Sequence, residues 1–163
     1  MIIAGTGHRP VDGLNSEYDL NGPYSNYVRT KTIEFLKEKK PDTVISGMAL
    51  GFDIILIEAA ISLGIKCIAA IPCIEQEKIW PEKSQIRYHN VLNNPLVTKH
   101  YVSNEPYTHS CMQKRNEWMI NRADLIIAMW NGKRSGGTYN AITYAKKLKK
   151  EIYYINPDDA NDN

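Results

Sequence analysis

Three short segments carry residue types suited to holding an anion. They are Gly5-Thr6-Gly7-His8-Arg9, Ser46-Gly47-Met48-Ala49-Leu50-Gly51-Phe52-Asp53 and Gly132-Lys133-Arg134-Ser135-Gly136-Gly137-Thr138. Each follows an apolar run, and the second and third precede helical patterns. A strand that stops at glycines and restarts as a helix leaves backbone N–H groups free at the helix start. Those donors and the helix dipole favour an anion, usually a phosphate. Gly5, Thr6, Gly7, His8, Arg9, Ser46, Gly47, Met48, Gly51, Asn131, Gly136, Gly137 and Thr138 are therefore expected to bind ligand. Thr6 supplies a hydroxyl, and Arg9 a planar fork that suits phosphate or carboxylate. Asp53 opens its helix, where a carboxylate either caps free N–H groups or accepts from a ribose hydroxyl.

Further along, Glu75-Gln76-Glu77 follows an apolar strand pattern beside Trp80. These residues either recognise hydroxyls or a base, or form the acidic first turn that helices favour. Arg115 and Asn116 sit in the helical pattern Met112-Gln113-Lys114-Arg115-Asn116-Glu117-Trp118-Met119 and join the expected ligand set. The P-loop order of glycine, lysine and serine or threonine after four spacers is absent, which disfavours ATP hydrolysis of that type. Neither a Ser-His-Asp order nor an activated cysteine is apparent. His8, His89, His100 and His109 lack zinc-like spacing, and neither a metal nor a cofactor is expected.

The elements that must position these residues alternate between apolar runs and helical patterns, the mark of a mostly parallel sheet. Strands are predicted at 2–5, 43–46, 67–71, 97–102, 125–130 and 152–155. Helices are predicted at 27–39, 53–63, 111–121 and 138–149, with a mostly helical stretch at 75–93. Residues 11–26 read as a loop. The predicted fold is a three-layer, Rossmann-like α/β domain over 1–157, with a frayed acidic tail at 158–163. Right-handed crossovers place the strand ends bearing Gly5, Gly47, Pro72 and Asn131 on one sheet edge, where such sheets bind ligands.

Bulk composition fits one globular domain. The chain has 163 residues, 43% hydrophobic and 23% charged, with a formal net charge of +2. That charge is too small to imply a nucleic-acid partner by itself. Glu58, Lys66 and Pro72 interrupt the longest apolar stretches, so no membrane span is expected. The start reads as a strand, not a secretory signal. Cys67, Cys73 and Cys111 form no CxxC pair, which suggests reduced thiols in the cytoplasm.

Together, Thr6-Gly7-His8-Arg9-Pro10, Ile45-Ser46-Gly47, Gly51, Ile71-Pro72, Glu75-Gln76-Glu77-Lys78 with Trp80, Pro106-Tyr107, Arg115-Asn116, Asp124 and Gly136-Gly137-Thr138 with Tyr144-Ala145 resemble the YpsA-like branch of the SLOG superfamily. The resemblance covers nearly the whole chain. It implies a Rossmann-like fold that binds a nucleotide or an ADP-ribose-like ligand, to sense, carry or sequester it. Met112 to Met119 is also similar to the M-x-x-R-K-x-x-M helix of the Lonely Guy phosphoribohydrolases, with Asn116 in place of lysine. Their loop P-G-G-x-G-T-x-x-E is similar to Ser135 through Ala141 but shortened, and its glutamate falls at Ala141. An N-glycosidic hydrolase is therefore an alternative, with Arg115, Asp53, Glu75 and Glu77 as catalytic candidates. By the same analogy a homodimer is possible, and a third alternative is an interaction protein with a vestigial pocket.

The turn Ser46 through Asp53 is similar to the S-G-x-A-x-G-x-D turn of the DprA family of DNA-processing proteins. The basic residue usual in that turn is Leu50 here, and a later histidine falls at Ile57. Without those cations, single-stranded DNA binding loses an electrostatic anchor. A nucleotide-like small molecule is the expected partner, and a nucleic acid is not.

Overall fold

The computed structural model describes residues 1–162, and Asn163, the last residue of the expected tail, lies outside the described residues. Six strands form one all-parallel sheet: β1 (Ile2–Gly7), β2 (Thr43–Ser46), β3 (Lys66–Ile71), β4 (Val97–Tyr101), β5 (Leu125–Met129) and β6 (Glu151–Ile155). Their spatial order is β4-β3-β2-β1-β5-β6. The order reverses between β1 and β5, which pair from Ile3 with Leu125 to Gly7 with Met129. A reversal of this kind opens a crevice beyond the strand carboxyl ends.

Six α-helices connect or flank the strands: α1 (Pro10–Gly13), α2 (Pro23–Lys39), α3 (Phe52–Ser62), α4 (Glu82–Leu92), α5 (Cys111–Arg122) and α6 (Gly136–Lys147). Alternate strand residues face opposite layers because side chains along a strand repeat every two residues. Ile3, Val44, Leu125 and Ile127 join the core formed with α2, α3 and α4. Ala4, Ile45 and Ile126 join Met119, Ile120, Ala141 and Ala145 from α5 and α6 on the other face. The predicted three-layer α/β architecture with helices on both faces is what the chain adopts, and its sheet is parallel throughout.

Phe52 to Ile57 of α3 are all buried, so this helix is apolar around its circumference and packs between the sheet and its neighbours. Its later turns are tied to α4, where Arg87 donates to both Glu58 carboxylate oxygens, at 2.7 Å each. Two expectations change. The stretch read as a loop contains α1 and the first turn of α2, each with a proline at its start. Residues Pro157–Asp162 are not frayed. They form a 3-10 helix on α2, with the Tyr24 hydroxyl donating to Asn161 Oδ1 at 2.8 Å.

Candidate functional site

A cavity of about 510 Å³ lies at the carboxyl edge of the sheet, across the β1–β5 reversal. The β1 exit supplies Gly5, Thr6, Gly7, His8 and Arg9, and the turn after β2 supplies Asp53 with Ala49. Helix α5 supplies Arg115, Asn116 and Met112, while the β5–α6 loop and helix start supply Lys133, Ser135, Gly136, Gly137 and Thr138. Asp12 and Tyr107 complete the wall. Residues far apart in the sequence thus meet because parallel strands all end on one edge.

Local packing explains why several of these positions are glycine. A Cβ at Gly5 would run into the Leu56 side chain, and one at Gly7 would come within 2.5 Å of the Phe52 ring. Both glycines therefore let α3 lie close against β1. Gly51 has φ +109°, and a Cβ there would sit 2.6 Å from the His8 carbonyl oxygen. That carbonyl accepts from Phe52 N–H at 3.2 Å, so the first loop is clamped onto the start of α3.

Gly136 and Gly137 are different, since a Cβ at either would meet open space. They begin α6, preceded by Ser135 at the N-cap, and no side chain among the described residues caps this start. The first N–H groups of a helix have no partner within it, so α6 directs donors and the positive end of its dipole at the cavity.

The Ser46–Asp53 turn is internally bonded. Ser46 Oγ donates to the Asp53 carbonyl at 2.7 Å and accepts from Met48 N–H at 3.2 Å. Met48 is buried with φ +60°, so it serves the turn's shape and core. Asp53 Oδ2 accepts from Ala49 N–H at 3.2 Å, whereas buried Oδ1 has no hydrogen-bond partner among the described residues. Burial pushes this carboxyl up to about 6, against the opposing pull of the Arg115 charge and the Ala49 bond.

Arg115 is buried as well. Its Nε donates to Asn116 Oδ1 at 2.8 Å, its Nη1 to the Gly47 carbonyl and its Nη2 toward Met112 Sδ at 3.8 Å. Burial lowers the guanidinium from its ordinary value, and the nearby Asp53 charge opposes that shift. The His8 imidazole is also pushed down, chiefly by burial. Its Nε2 accepts from Asn131 N–H at 3.2 Å, an arrangement that leaves the neutral ring's proton on Nδ1.

Several predicted residues support the cavity from outside its wall. Ser46, Gly47, Met48 and Gly51 shape the second turn behind Asp53 and Arg115. Asn131 organises the third loop: its Nδ2 donates to the Asp12 carbonyl at 3.1 Å and its Oδ1 accepts from Lys133 N–H at 3.1 Å. Glu75 and Glu77 do not line the cavity. Glu75, with φ +58°, precedes the 3-10 helix Gln76–Ile79, and its exposed carboxylate pairs with Lys78 at 3.3 Å. Glu77 is buried with its Oε2 3.5 Å from His89 Nε2. Ala141, on α6, is sealed in the core between that helix, α5 and the sheet.

Asp12, Ala49, Tyr107, Met112, Lys133 and Ser135 line the cavity without having been singled out as site residues. Lys133 and Ser135 lie within the third glycine segment, where a positive side chain beside a helix start was a usable signal. Asp12 lies in a stretch read as loop, whose spacing carries no such signal, and Tyr107 enters the sequence reading only through the family resemblance of Pro106-Tyr107.

With this geometry in view, comparison with known proteins places the chain. The family model for DNA recombination-mediator protein A matches residues 21–163. The chain belongs to that family and is a SLOG-type domain. The SPbeta prophage-derived protein YoqJ of Bacillus subtilis is 36% identical over 106 residues, covering 58% of this chain and 61% of YoqJ. A UPF0398 protein of Bacillus licheniformis is 29% identical over 170 residues, covering 97% of this chain and 92% of that protein. Among solved structures, DNA processing protein A from Helicobacter pylori superposes with a TM-score of 0.66 at 24% identity. That match covers 94% of this chain and 64% of the Helicobacter chain, so this protein spans less than two thirds of it.

One expectation is overturned here. The low net charge, with Leu50 and Ile57 in place of cations, argues in the sequence against a nucleic-acid partner. The family is one of DNA recombination mediators, and the Helicobacter protein is described by its single-stranded DNA binding mode. Net charge is a poor guide here, because contacts to a backbone depend on a few cations in one place. Arg9, Arg115 and Lys133 lie together around this cavity.

Proposed function

We propose that the protein binds a phosphate-bearing nucleotide in this cavity, with the phosphate on the start of α6. The observation that carries this reading is the uncapped α6 start at Gly136 and Gly137, opening onto the cavity beside Arg115 and Lys133. An anion there meets backbone donors and the positive end of a helix dipole, in a cavity whose wall also carries the Arg115 and Lys133 cations. The unpartnered Asp53 Oδ1 supports the sugar's placement, since a buried acceptor is stabilised by a donor such as a hydroxyl. Binding of this kind fits a protein that senses, carries or sequesters its ligand. The three free, buried cysteines support a reducing setting such as the cytoplasm.

Family membership favours a second reading, in which the nucleotide is one unit of single-stranded DNA. Calorimetry separates the two. AMP, ADP-ribose and an oligothymidylate are titrated into the protein at two salt concentrations. Saturable binding of AMP or ADP-ribose supports the first reading. Binding of the oligonucleotide alone, weakening steeply with salt, supports the second. No binding of any probe removes both.

A further inference from the structure

We propose that Tyr107 is the base-reading element of this cavity, its ring stacking on the nucleobase of the bound nucleotide. The inference rests on the nucleotide reading above and adds to it the part of the ligand that is recognised.

Tyr107 lies in the segment between β4 and α5, which is pinned on both sides of it. Ile74 N–H donates to the Glu105 carbonyl at 3.1 Å, and Cys111 N–H donates to the Thr108 carbonyl at 3.3 Å. The ring is thus held out on a short span between two anchored points. It is 66% exposed, yet it forms part of the cavity wall.

Two other exposed tyrosines have ring partners, whereas Tyr18 and Tyr101, which do not line the cavity, have none among the described residues. Tyr153 stacks on Phe35 with centroids 4.3 Å apart, and Tyr154 lies against Trp130 at 6.0 Å. Among the described residues, no ring or cation packs on Tyr107, so its ring has no stacking partner within the protein. Met112, on the first turn of α5, adds a polarisable side chain to the cavity wall. The cavity wall therefore offers both kinds of surface that a nucleotide needs, peptide N–H groups and cations as well as an unstacked ring. A base presents a flat π-face that an aromatic side chain can cover, whatever its hydrogen-bonding edge.

The test compares AMP with ribose 5-phosphate, which keeps the sugar and phosphate but lacks the base. Calorimetry is run on the wild-type protein, Tyr107→Leu and Tyr107→Phe, with circular dichroism to check folding. AMP is expected to bind wild type about ten- to a hundredfold more tightly than ribose 5-phosphate, the range typical of one stacked base. Tyr107→Leu should bring AMP down to the ribose 5-phosphate affinity and leave ribose 5-phosphate unchanged, while Tyr107→Phe keeps the preference. Equal binding of the two probes by wild type, or a preference that survives Tyr107→Leu, overturns the proposal and leaves the phosphate site standing. Binding of neither probe overturns the nucleotide reading itself and this inference with it.

Discussion

The Arg115 guanidinium occupies the space that a side chain at Gly47 would need. Its Nη1 donates to the Gly47 carbonyl, and a Cβ on residue 47 would sit 2.6 Å from Cζ. Helix α5 and the turn after β2 therefore meet through one buried cation and one absent methyl group. Gly47→Ala is expected to destabilise by about 1–3 kcal/mol through overpacking. Arg115→Ala should cost about 1–3 kcal/mol by leaving the buried Gly47 carbonyl without its donor. The double variant should lose less than the sum, because the new Cβ enters space the guanidinium has left. Urea denaturation of all four proteins measures this, and strictly additive losses would refute the relationship.

Asp53 sets a pH dependence of stability. Its folded-state value is raised from 3.8 to about 6, so the protonated carboxyl is favoured in the folded chain. The stabilisation this gives is fully present below the ordinary carboxylate value and is lost as pH rises through about 6. A shift of this size corresponds to roughly 3 kcal/mol between the two limits. Asp53→Asn, which keeps an acceptor for Ala49, should remove that slope between pH 4 and 7. Parallel stability curves for the variant and wild type over this range would show that Asp53 does not titrate as described.

The two glycines that begin α6 should respond in opposite directions. Gly136 has φ +90°, a conformation that side chains resist, so Gly136→Ala should destabilise by about 1 kcal/mol or more. Gly137 has no positive φ and has open space at its Cβ, so Gly137→Ala should stabilise by about 0.4–1 kcal/mol. Thermal unfolding reports both signs. If the two variants behaved alike, the backbone described at this helix start would be wrong.

The cysteines should be slow to react in the native protein. All three are buried, and burial pushes Cys67 up to about 12 and Cys73 to about 11. Little thiolate is then present at pH 8. A disulfide reagent should titrate three thiols in denaturant and react far more slowly without it. Rapid native labelling of Cys67 or Cys73 would contradict this burial.

The strands were readable because buried parallel strands are continuous apolar runs, as at Leu125–Met129, and because glycine or proline closes most of them. The sheet edge carrying the candidate site followed from that alternation. Individual glycines were harder to interpret. Gly5, Gly7 and Gly51 look like phosphate-binding glycines in the chain, yet the contacts that exclude a Cβ there come from Leu56, Phe52 and the His8 carbonyl. Such close approaches exist only after the chain has folded. For Glu75 and Glu77 the sequence leaves two roles open, and the structure puts them at the start of a short 3-10 helix, away from the cavity wall, with a positive φ at Glu75 that no periodicity signals. The tail was read as frayed because it is acidic, while its docking depends on Tyr24 in a different helix.

The β1–β5 seam has a consequence for how the protein is made. It joins residues far apart in the chain: Ile2 N–H, for example, donates to Asp124 Oδ2 across 122 positions at 2.8 Å. As the polypeptide leaves the ribosome, β1 can pair with β2 early, but its other edge stays bare until β5 emerges. Contacts of such long range form slowly, and an unpaired apolar strand edge invites wrong partners meanwhile. The cavity, which needs α5 and α6 as well, is completed only after β5 has emerged, with β6 and the terminal 3-10 helix still to follow. A nascent chain stalled before Leu125 would hold four strands of the sheet and no binding site, with the Ile3–Gly7 edge exposed for aggregation or chaperone capture.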